Sequence, residues 1–220
     1  SYRRALGIRP DHADTHHILG NTLNELGQPD EAVASYRRAV ELKPDHAEAH
    51  YNLGNTLKEL GQLDEAAACF RRVLTIDPDS VIAHNNLGAV LQDLGQLGDA
   101  LANYRRALEI DPGCDDAMVG IGHLCVISGK MKEAEAMIDK ALEVNPGNLE
   151  ARLLLASIRK AKAGDGNLSA LLAADEAAQN SRSPIPGNQK ISLQFALGKS
   201  FDDLGDHDRA FPHFIEGCKM

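Results

Sequence analysis

The sequence predicts an all-α solenoid of stacked helical hairpins, and three observations support this prediction. Prolines recur every 34 residues, two glycine columns and an alanine column share that period, and apolar residues are spaced by three and four within each unit. A fixed period of this length is typical of proteins built from repeated units. The proline column is Pro10, Pro44, Pro78, Pro112 and Pro146; the other columns begin at Gly20, Gly27 and Ala32.

Each unit is predicted to be a pair of helices, as residues 47–80 show. Apolar side chains there recur at helical spacing in two runs, which gives each half one buried stripe. The runs are Leu53, Leu57 and Leu60, followed by Ala66, Phe70 and Val73. One such hairpin is too short to bury its own apolar face, so it becomes stable only by stacking on its neighbours.

The turn inside the same unit has its own signals. Gly61 is expected to end the first helix in a conformation with positive φ. Asp64 and Glu65 are expected to start the second helix by capping and by favourable interaction with the helix dipole. Pro78 cannot continue that helix and sets the connection to the next unit.

The units follow one another along nearly the whole chain, and we expect one continuous solenoid domain. Residues 1–12 supply the second half of a truncated repeat, four regular units follow, 149–190 is a divergent repeat with longer loops, and 191–220 is a further repeat. The regular units span 13–46, 47–80, 81–114 and 115–148. In the divergent repeat we expect helices at 149–162 and about 168–179, a turn at 164–167 and a loop at 181–188. Neither end carries a polar capping helix, so we expect a fragment of a longer protein.

The pattern Leu-Gly, Gly, Ala, Tyr or Phe, Ala, Pro on a 34-residue period resembles the tetratricopeptide repeat (TPR) family. This resemblance implies a right-handed superhelix of antiparallel helix pairs, with the first helices lining the concave side. The sequence departs from the family at the position that is most often Trp. Here that position holds His16, His50, His84 and Met118.

Composition narrows the function classes. The net charge of −9 argues against a nucleic-acid or anionic-membrane surface, and no apolar run is long enough to span a bilayer. The four cysteines form no C-x-x-C pair, which favours a reducing, cytoplasmic setting. No phosphate loop, nucleophile elbow or paired acid appears, so we expect no catalytic residue, no cofactor and no enzymatic activity in this chain.

The expected partner-binding surface is the groove lined by the first helices, which would hold a protein or an extended peptide. Its predicted residues come from fixed positions of successive units. They are His17, Asn21, Tyr51, Asn52, Asn55, Lys58, Asn85, Asn86, Gln92 and His123. The fourth unit turns apolar at these positions, and Val119, Val126 and Ile127 are expected to add an anchoring pocket for one hydrophobic side chain.

Asparagine is a mediocre helix former, so its recurrence at these positions calls for a reason. Its amide carries a donor and an acceptor, which suits paired contacts with a peptide backbone. The run NLGNTLKELG at 52–61 resembles the repeats of the O-linked N-acetylglucosamine transferases, a resemblance that implies an asparagine ladder holding substrate peptides. The alternative is that these side chains line a solvated wall or bridge adjacent helices.

The last repeat carries a second resemblance. Residues 193–217, LQFALGKSFDDLGDHDRAFPHFIEG, resemble the final repeat of bacterial TPR proteins that continue into a sulfotransferase domain. This implies, as an alternative function, a substrate-recruiting arm of a sulfotransferase or of an O-linked glycosyltransferase whose catalytic domain lies outside these residues.

Four further features of the sequence suggest binding or structural roles. The histidine column is expected to pack between helices, because one metal ion cannot be shared by helices about 8–10 Å apart. Arginine pairs on the second helices are expected to be neutralised locally, Arg37 by Glu41 and Arg105 by Glu109. A chaperone-tail clamp is disfavoured because only Lys58 is basic in the groove. Exposed end repeats are expected to allow self-association.

Overall fold

A computed structural model describes residues 12–180 and 186–219, and within them the chain forms twelve α-helices and no strand. The all-α fold class predicted from the repeat period is therefore confirmed. The helices are α1 (Ala13–Glu25), α2 (Pro29–Leu42), α3 (Ala47–Glu59), α4 (Leu63–Ile76), α5 (Val81–Asp93), α6 (Leu97–Ile110), α7 (Asp115–Ile127), α8 (Met131–Val144), α9 (Leu149–Ile158), α10 (Gly166–Asn180), α11 (Gly187–Asp203) and α12 (His207–Lys219).

The helices belong to two compact units, residues 1–120 and residues 121–220, with the boundary inside α7. In the first unit, α1 to α5 each pack on the helix that follows, and the first helices of the hairpins, α1, α3 and α5, also touch in turn. In the second unit, α9 contacts α8, α10 and α11, and α11 packs on α12. The continuity of one array across residue 120 stays a prediction, and the expected half-repeat falls on residues 1–11, outside the described residues.

The turns inside the hairpins use glycine as the sequence predicts. Gly61 has φ of +73°, and the glycines at the same position of neighbouring repeats, Gly27 and Gly95, have nearly the same value. The prediction of the next helix start was partly wrong. Gln62 is the N-cap residue of α4 and makes no side-chain cap bond, while Asp64 and Glu65 lie in the first turn, where they complement the helix dipole.

Small residues let the two helices of a hairpin approach closely. Ala66 of α4 is completely buried, and a Cβ added at Gly54 of α3 would lie 3.0 Å from the ring of Phe70. At Gly20 of α1 the fit is tighter, since a Cβ there would lie 2.5 Å from the ring of Tyr36. In these two hairpins the aromatic ring of the second helix thus occupies the space that the missing side chain leaves.

The arginines of the second helices pair differently from the prediction. Arg37 binds Glu65 of the following repeat at 2.7 Å, and Glu41 pairs with Arg38 instead. Arg106 reaches Asp79 in the connection before α5 at 2.8 Å, as well as Glu109 in its own helix. These pairs are exposed, so each contributes little to stability, but two of them link neighbouring repeats.

The divergent repeat also differs from its predicted bounds. Its first helix, α9, ends at Ile158 rather than near 162, and α11 begins at Gly187, inside the predicted loop at 181–188. The early end of α9 coincides with contacts made by α11. Beyond it, the backbone N–H of Ala161 donates to Asp203 and Lys199 donates to the carbonyl of Arg159, so side chains of α11 hold the chain in an extended course. Residues 181–185 of that loop lie outside the described residues.

A buried polar network fixes α11 between α10 and α12. The amide nitrogen of Gln194 donates to the buried carboxylate of Asp175 at 2.6 Å, and its Oε1 lies 2.8 Å from Nδ1 of His213. Gln179 completes the set by donating to the second oxygen of Asp175. Buried polar groups that are all bonded define one packing arrangement, so the position of α11 is well determined.

Candidate partner-binding face

The predicted groove residues of the first unit lie together on α1, α3 and α5, but His17 is not at the surface. Only 8% of it is exposed, and its ring packs edge-on against His46, 4.9 Å away between centroids. Its Nε2 accepts a hydrogen bond from the amide of Asn52 at 2.9 Å. The prediction that His17 contacts the partner is therefore wrong. His17 is buried and holds the amide of Asn52 by a hydrogen bond.

Asn21 and Asn52 are joined across two first helices. Nδ2 of Asn52 donates to Oδ1 of Asn21 at 3.0 Å, and the buried hydroxyl of Tyr36 donates to the same oxygen at 2.8 Å. This chain of bonds confirms that asparagines bridge adjacent helices here. It uses Oδ1 of Asn21 and Nδ2 of Asn52, and leaves Nδ2 of Asn21 and Oδ1 of Asn52 without a partner among the described residues.

Two groove residues of α3 are unengaged. Asn55 and Lys58 are half-buried, and neither side chain makes a hydrogen bond or ion pair with the described part of the chain. Asn85 of α5 differs, because its Oδ1 is buried without a hydrogen-bond partner.

The remaining predicted residues of the first unit are engaged weakly. Asn86 donates to the carbonyl of Ile82 at 3.0 Å and lies 3.4 Å from the hydroxyl of Tyr51. The hydroxyl of Tyr104 lies 3.4 Å from Oε1 of Gln92. We call Asn21, Asn52, Asn55, Asn85 and Asn86 the asparagine face. Hydrogen bonds order Asn21, Asn52 and Asn86, whereas the side chain of Asn55 makes none with the described part of the chain.

The electrostatic setting of the asparagine face is acidic. Burial, and then the negative charges of Glu25 and Glu59, raise the pKa of Tyr36, whose hydroxyl holds Asn21, to about 12. Residues 1–120 contain 11 Lys and Arg against 19 Asp and Glu. Lys58 is the single basic side chain among the predicted groove residues, which leaves the surface short of the cations that a carboxylate-rich ligand would need.

His123 lies in the second unit and lines a cavity of about 490 Å³ between α7, α9 and α11. None of the predicted anchor residues contributes: Val119 is buried, and neither Val126 nor Ile127 lines the cavity. The cavity walls are instead Glu150, Leu153, Leu154 and Ser157 of α9 with Gln189, Ser192, Phe195, Ala196 and Lys199 of α11.

Sequence reasoning missed these residues although the repeat register contained them. The position of His17, Tyr51 and Asn85 is held by Leu153 in the divergent repeat and by Phe195 in the last one. The predicted groove residues end with the fourth unit. Continuing the register by 34 residues from α7 to α9, and by 42 residues from α9 to α11 because the loop is eight residues longer, reaches most of the cavity wall.

The histidine column was expected to pack between helices. In the structure His50 and His84 lie against backbone carbonyls of the connections before their helices, and His84 also contacts Asn103 of α6 at 3.0 Å. Nε2 of His50 lies 3.1 Å from the carbonyl oxygen of Pro44, and Nε2 of His84 lies at the same distance from that of Pro78. Across residues 12–180 and 186–219, no group of three or more His, Cys, Asp or Glu side chains is arranged to hold a metal ion. Those residues also include no helix that is both long enough and apolar enough to cross a bilayer.

Stacked helical hairpins with a polar face on their first helices define a helical-repeat scaffold. The family models described as TPR repeat and tetratricopeptide repeat match residues 20–61 and 54–95, and residues 91–158, respectively. Together these matches cover more than half of the sequence. The chain belongs to the tetratricopeptide repeat family.

Solved structures share this fold. A crystal structure of MamA is 28% identical over 66% of this chain and 85% of its own, with a TM-score of 0.63. YrrB, described as a TPR protein with an unusual peptide-binding site, is 21% identical over the whole chain and 98% of its own, with a TM-score of 0.60. PilF of Pseudomonas aeruginosa is 20% identical over 93% of this chain and 89% of its own, with a TM-score of 0.64. No curated protein matches the sequence.

Proposed function

We propose that the asparagine face of the first unit binds an extended segment of a partner protein through that segment's backbone. The observation that carries this proposal is the pairing of Asn21 with Asn52. Their mutual bond fixes both side chains and leaves one amide donor and one amide acceptor unused on adjacent helices. A peptide backbone presents complementary acceptors and donors at every residue.

Preorganisation supports the proposal. Tyr36 and His17 hold the Asn21–Asn52 pair from the interior side, so these two side chains have little rotamer freedom left to lose on binding. Asn55 is the opposite case, since no bond orders its amide before the partner arrives. Substitution of Asn52 should therefore lower the stability of the fold, whereas substitution of Asn55 should not. Both residues should recognise the same type of ligand group, a peptide backbone.

The test separates binding from folding. Asn55→Ala removes an amide with no internal bond, so it should weaken binding of library-selected extended peptides two- to tenfold while leaving the unfolding curve unchanged, since each lost bond is worth about 0.5–1.5 kcal/mol. The triple variant Asn52→Ala, Asn55→Ala and Asn86→Ala should lose about 10–1000-fold. Asn52→Ala alone should also lower stability, because it breaks the bonds to Asn21 and His17.

The matched control is a charge reversal on the second helices, Arg71→Glu with Arg105→Glu. Both arginines are exposed on helices that do not carry the asparagine face. The variant should bind as the unaltered protein does. If this charge reversal abolishes binding and the triple asparagine variant binds normally, the partner site lies on the second helices and the asparagines are structural.

The alternative role of a substrate-recruiting arm rests on the resemblance at 193–217. It predicts that the gene encodes a catalytic domain next to these repeats, and that deleting the repeats from that protein raises KM for a protein substrate while kcat for a small acceptor is unchanged. Equal activity on protein substrates with and without the repeats would contradict it.

A further inference from the structure

We propose that the cavity between α7, α9 and α11 is a second binding site, independent of the asparagine face, and that it takes a large, uncharged apolar side chain, such as Leu or Phe, from an extended polypeptide. Its volume of about 490 Å³ lies within the range of ligand pockets. Leu153, Leu154, Phe195 and Ala196 form its apolar surface. Its uncharged polar side chains are Gln189, Ser157 and Ser192, and His123, Glu150 and Lys199 also line it.

Phe195 is the central feature because it is exposed and yet held in place. Its ring is 41% exposed and lines the cavity. On the other side it packs against Phe214, 6.3 Å away between centroids, and lies over Gly217, where an added Cβ would be 3.1 Å from the ring. Glycine at 217 replaces the alanine or valine of the same column in earlier repeats, which makes room for the ring. A fixed, exposed aromatic ring is typical of interface hot spots.

The lysine of the cavity wall is already paired and the carboxylate of the wall is well exposed, which is why we expect an uncharged occupant. The ammonium group of Lys199 binds Asp203 at 2.8 Å. The side chain of Glu150 is 60% exposed, and Nε2 of His123 lies 3.4 Å from it without a hydrogen bond. Asp203 is also fixed by the N–H of Ala161. A charged side chain entering the cavity would lose its hydration and find no free counter-charge, whereas an apolar one gains by burial.

The repeat register shows that the first unit has a polar surface where the second unit has an apolar one. Positions that carry Tyr51, Asn52 and Asn85 in the first unit carry Leu153, Leu154 and Phe195 in the second. The polar surface suits a peptide backbone and the apolar one suits a side chain. The two sites therefore recognise different parts of a polypeptide, and each can be removed without the other.

The experiment uses the full chain and peptides of sequence Gly-Ser-Gly-X-Gly-Ser-Gly, with X as Leu, Phe, Ser, Lys or Asp, in saturation-transfer NMR titrations. We expect the Leu and Phe peptides to bind at least about tenfold more tightly than the other three, the effect of burying one such side chain. Phe195→Ala should abolish this preference. Phe211→Ala, which removes a ring that is 66% exposed and outside the cavity, should keep it.

A second variant guards against misfolding of Phe195→Ala. Ser157→Leu fills the cavity without removing a packed ring, and it should abolish the preference as well. Asn55→Ala should retain the preference for the Leu and Phe peptides. A failure of this proposal can therefore be distinguished from a failure of backbone binding at the asparagine face. The inference is overturned if the preference survives both cavity variants or if the Lys or Asp peptide binds as tightly as Leu. It is also overturned if the chain self-associates and Phe195→Ala makes it monomeric, since the occupant is then a second copy.

Discussion

Replacing Gly20 by alanine tests the close packing of the hairpins directly. An added Cβ would lie 2.5, 2.6 and 2.9 Å from three ring carbons of Tyr36, whereas carbon atoms in contact are separated by about 3.5–4.0 Å. The ring must therefore move by about 1 Å. Such overpacking typically costs about 1–3 kcal/mol.

The shift has a second consequence, because the Tyr36 hydroxyl donates to Asn21 at 2.8 Å. Weakening that bond adds about 0.5–1.5 kcal/mol, while the better helix propensity of alanine returns about 1 kcal/mol. The expected net loss in the free energy of unfolding is roughly 1–3 kcal/mol. Gly54→Ala should be milder, since the corresponding distance to Phe70 is 3.0 Å.

Urea unfolding followed by circular dichroism measures the effect. The control is Gly98→Ala in the first turn of α6, where no atom lies within 4 Å of the added Cβ, so it should be neutral or stabilising by up to about 1 kcal/mol. In a Tyr36→Leu background the penalty of Gly20→Ala should largely disappear. A Gly20→Ala protein as stable as Gly98→Ala would refute the packing described here.

Two further predictions concern titrating groups. Burial, and then the neighbouring His46, lower the pKa of His17, although Glu48 and Asp14 act in the opposite direction. At pH values between this lowered pKa and 6.5, the unfolded chain therefore binds more protons than the folded protein. Stability should therefore fall as pH drops below about 6.5, and denaturation at pH 7.5 and 5.5 should show a smaller drop for His17→Gln; an equal drop would contradict it. Burial and then Glu65 raise the pKa of Cys69 to about 11, so at pH 8 iodoacetamide should label the exposed Cys218 much faster, as mass spectrometry of labelled peptides would show. Equal labelling of Cys69 in the folded protein would mean that α4 does not bury it.

The particular contacts of the binding face could not be predicted from sequence. Asn21 and Asn52 are 31 residues apart, and their bond depends on the lateral offset between α1 and α3. That offset is set by the packing of whole helices. The same holds for His17, whose position in the repeat suggested the surface, but whose ring turns inward against His46.

The sequence by itself determined the repeat: its period, its glycine turns and its apolar columns are local signals, since each acts within one hairpin. The glycine at 61 needs positive φ wherever the hairpin lies, and Ala66 must be small wherever two helices cross. The tertiary structure alone decided which polar groups are used up and which stay available. Arg37 binds Glu65 rather than Glu41, and Phe195 stays open to a cavity while Phe70 is buried, because these outcomes depend on distances between elements that no single hairpin defines.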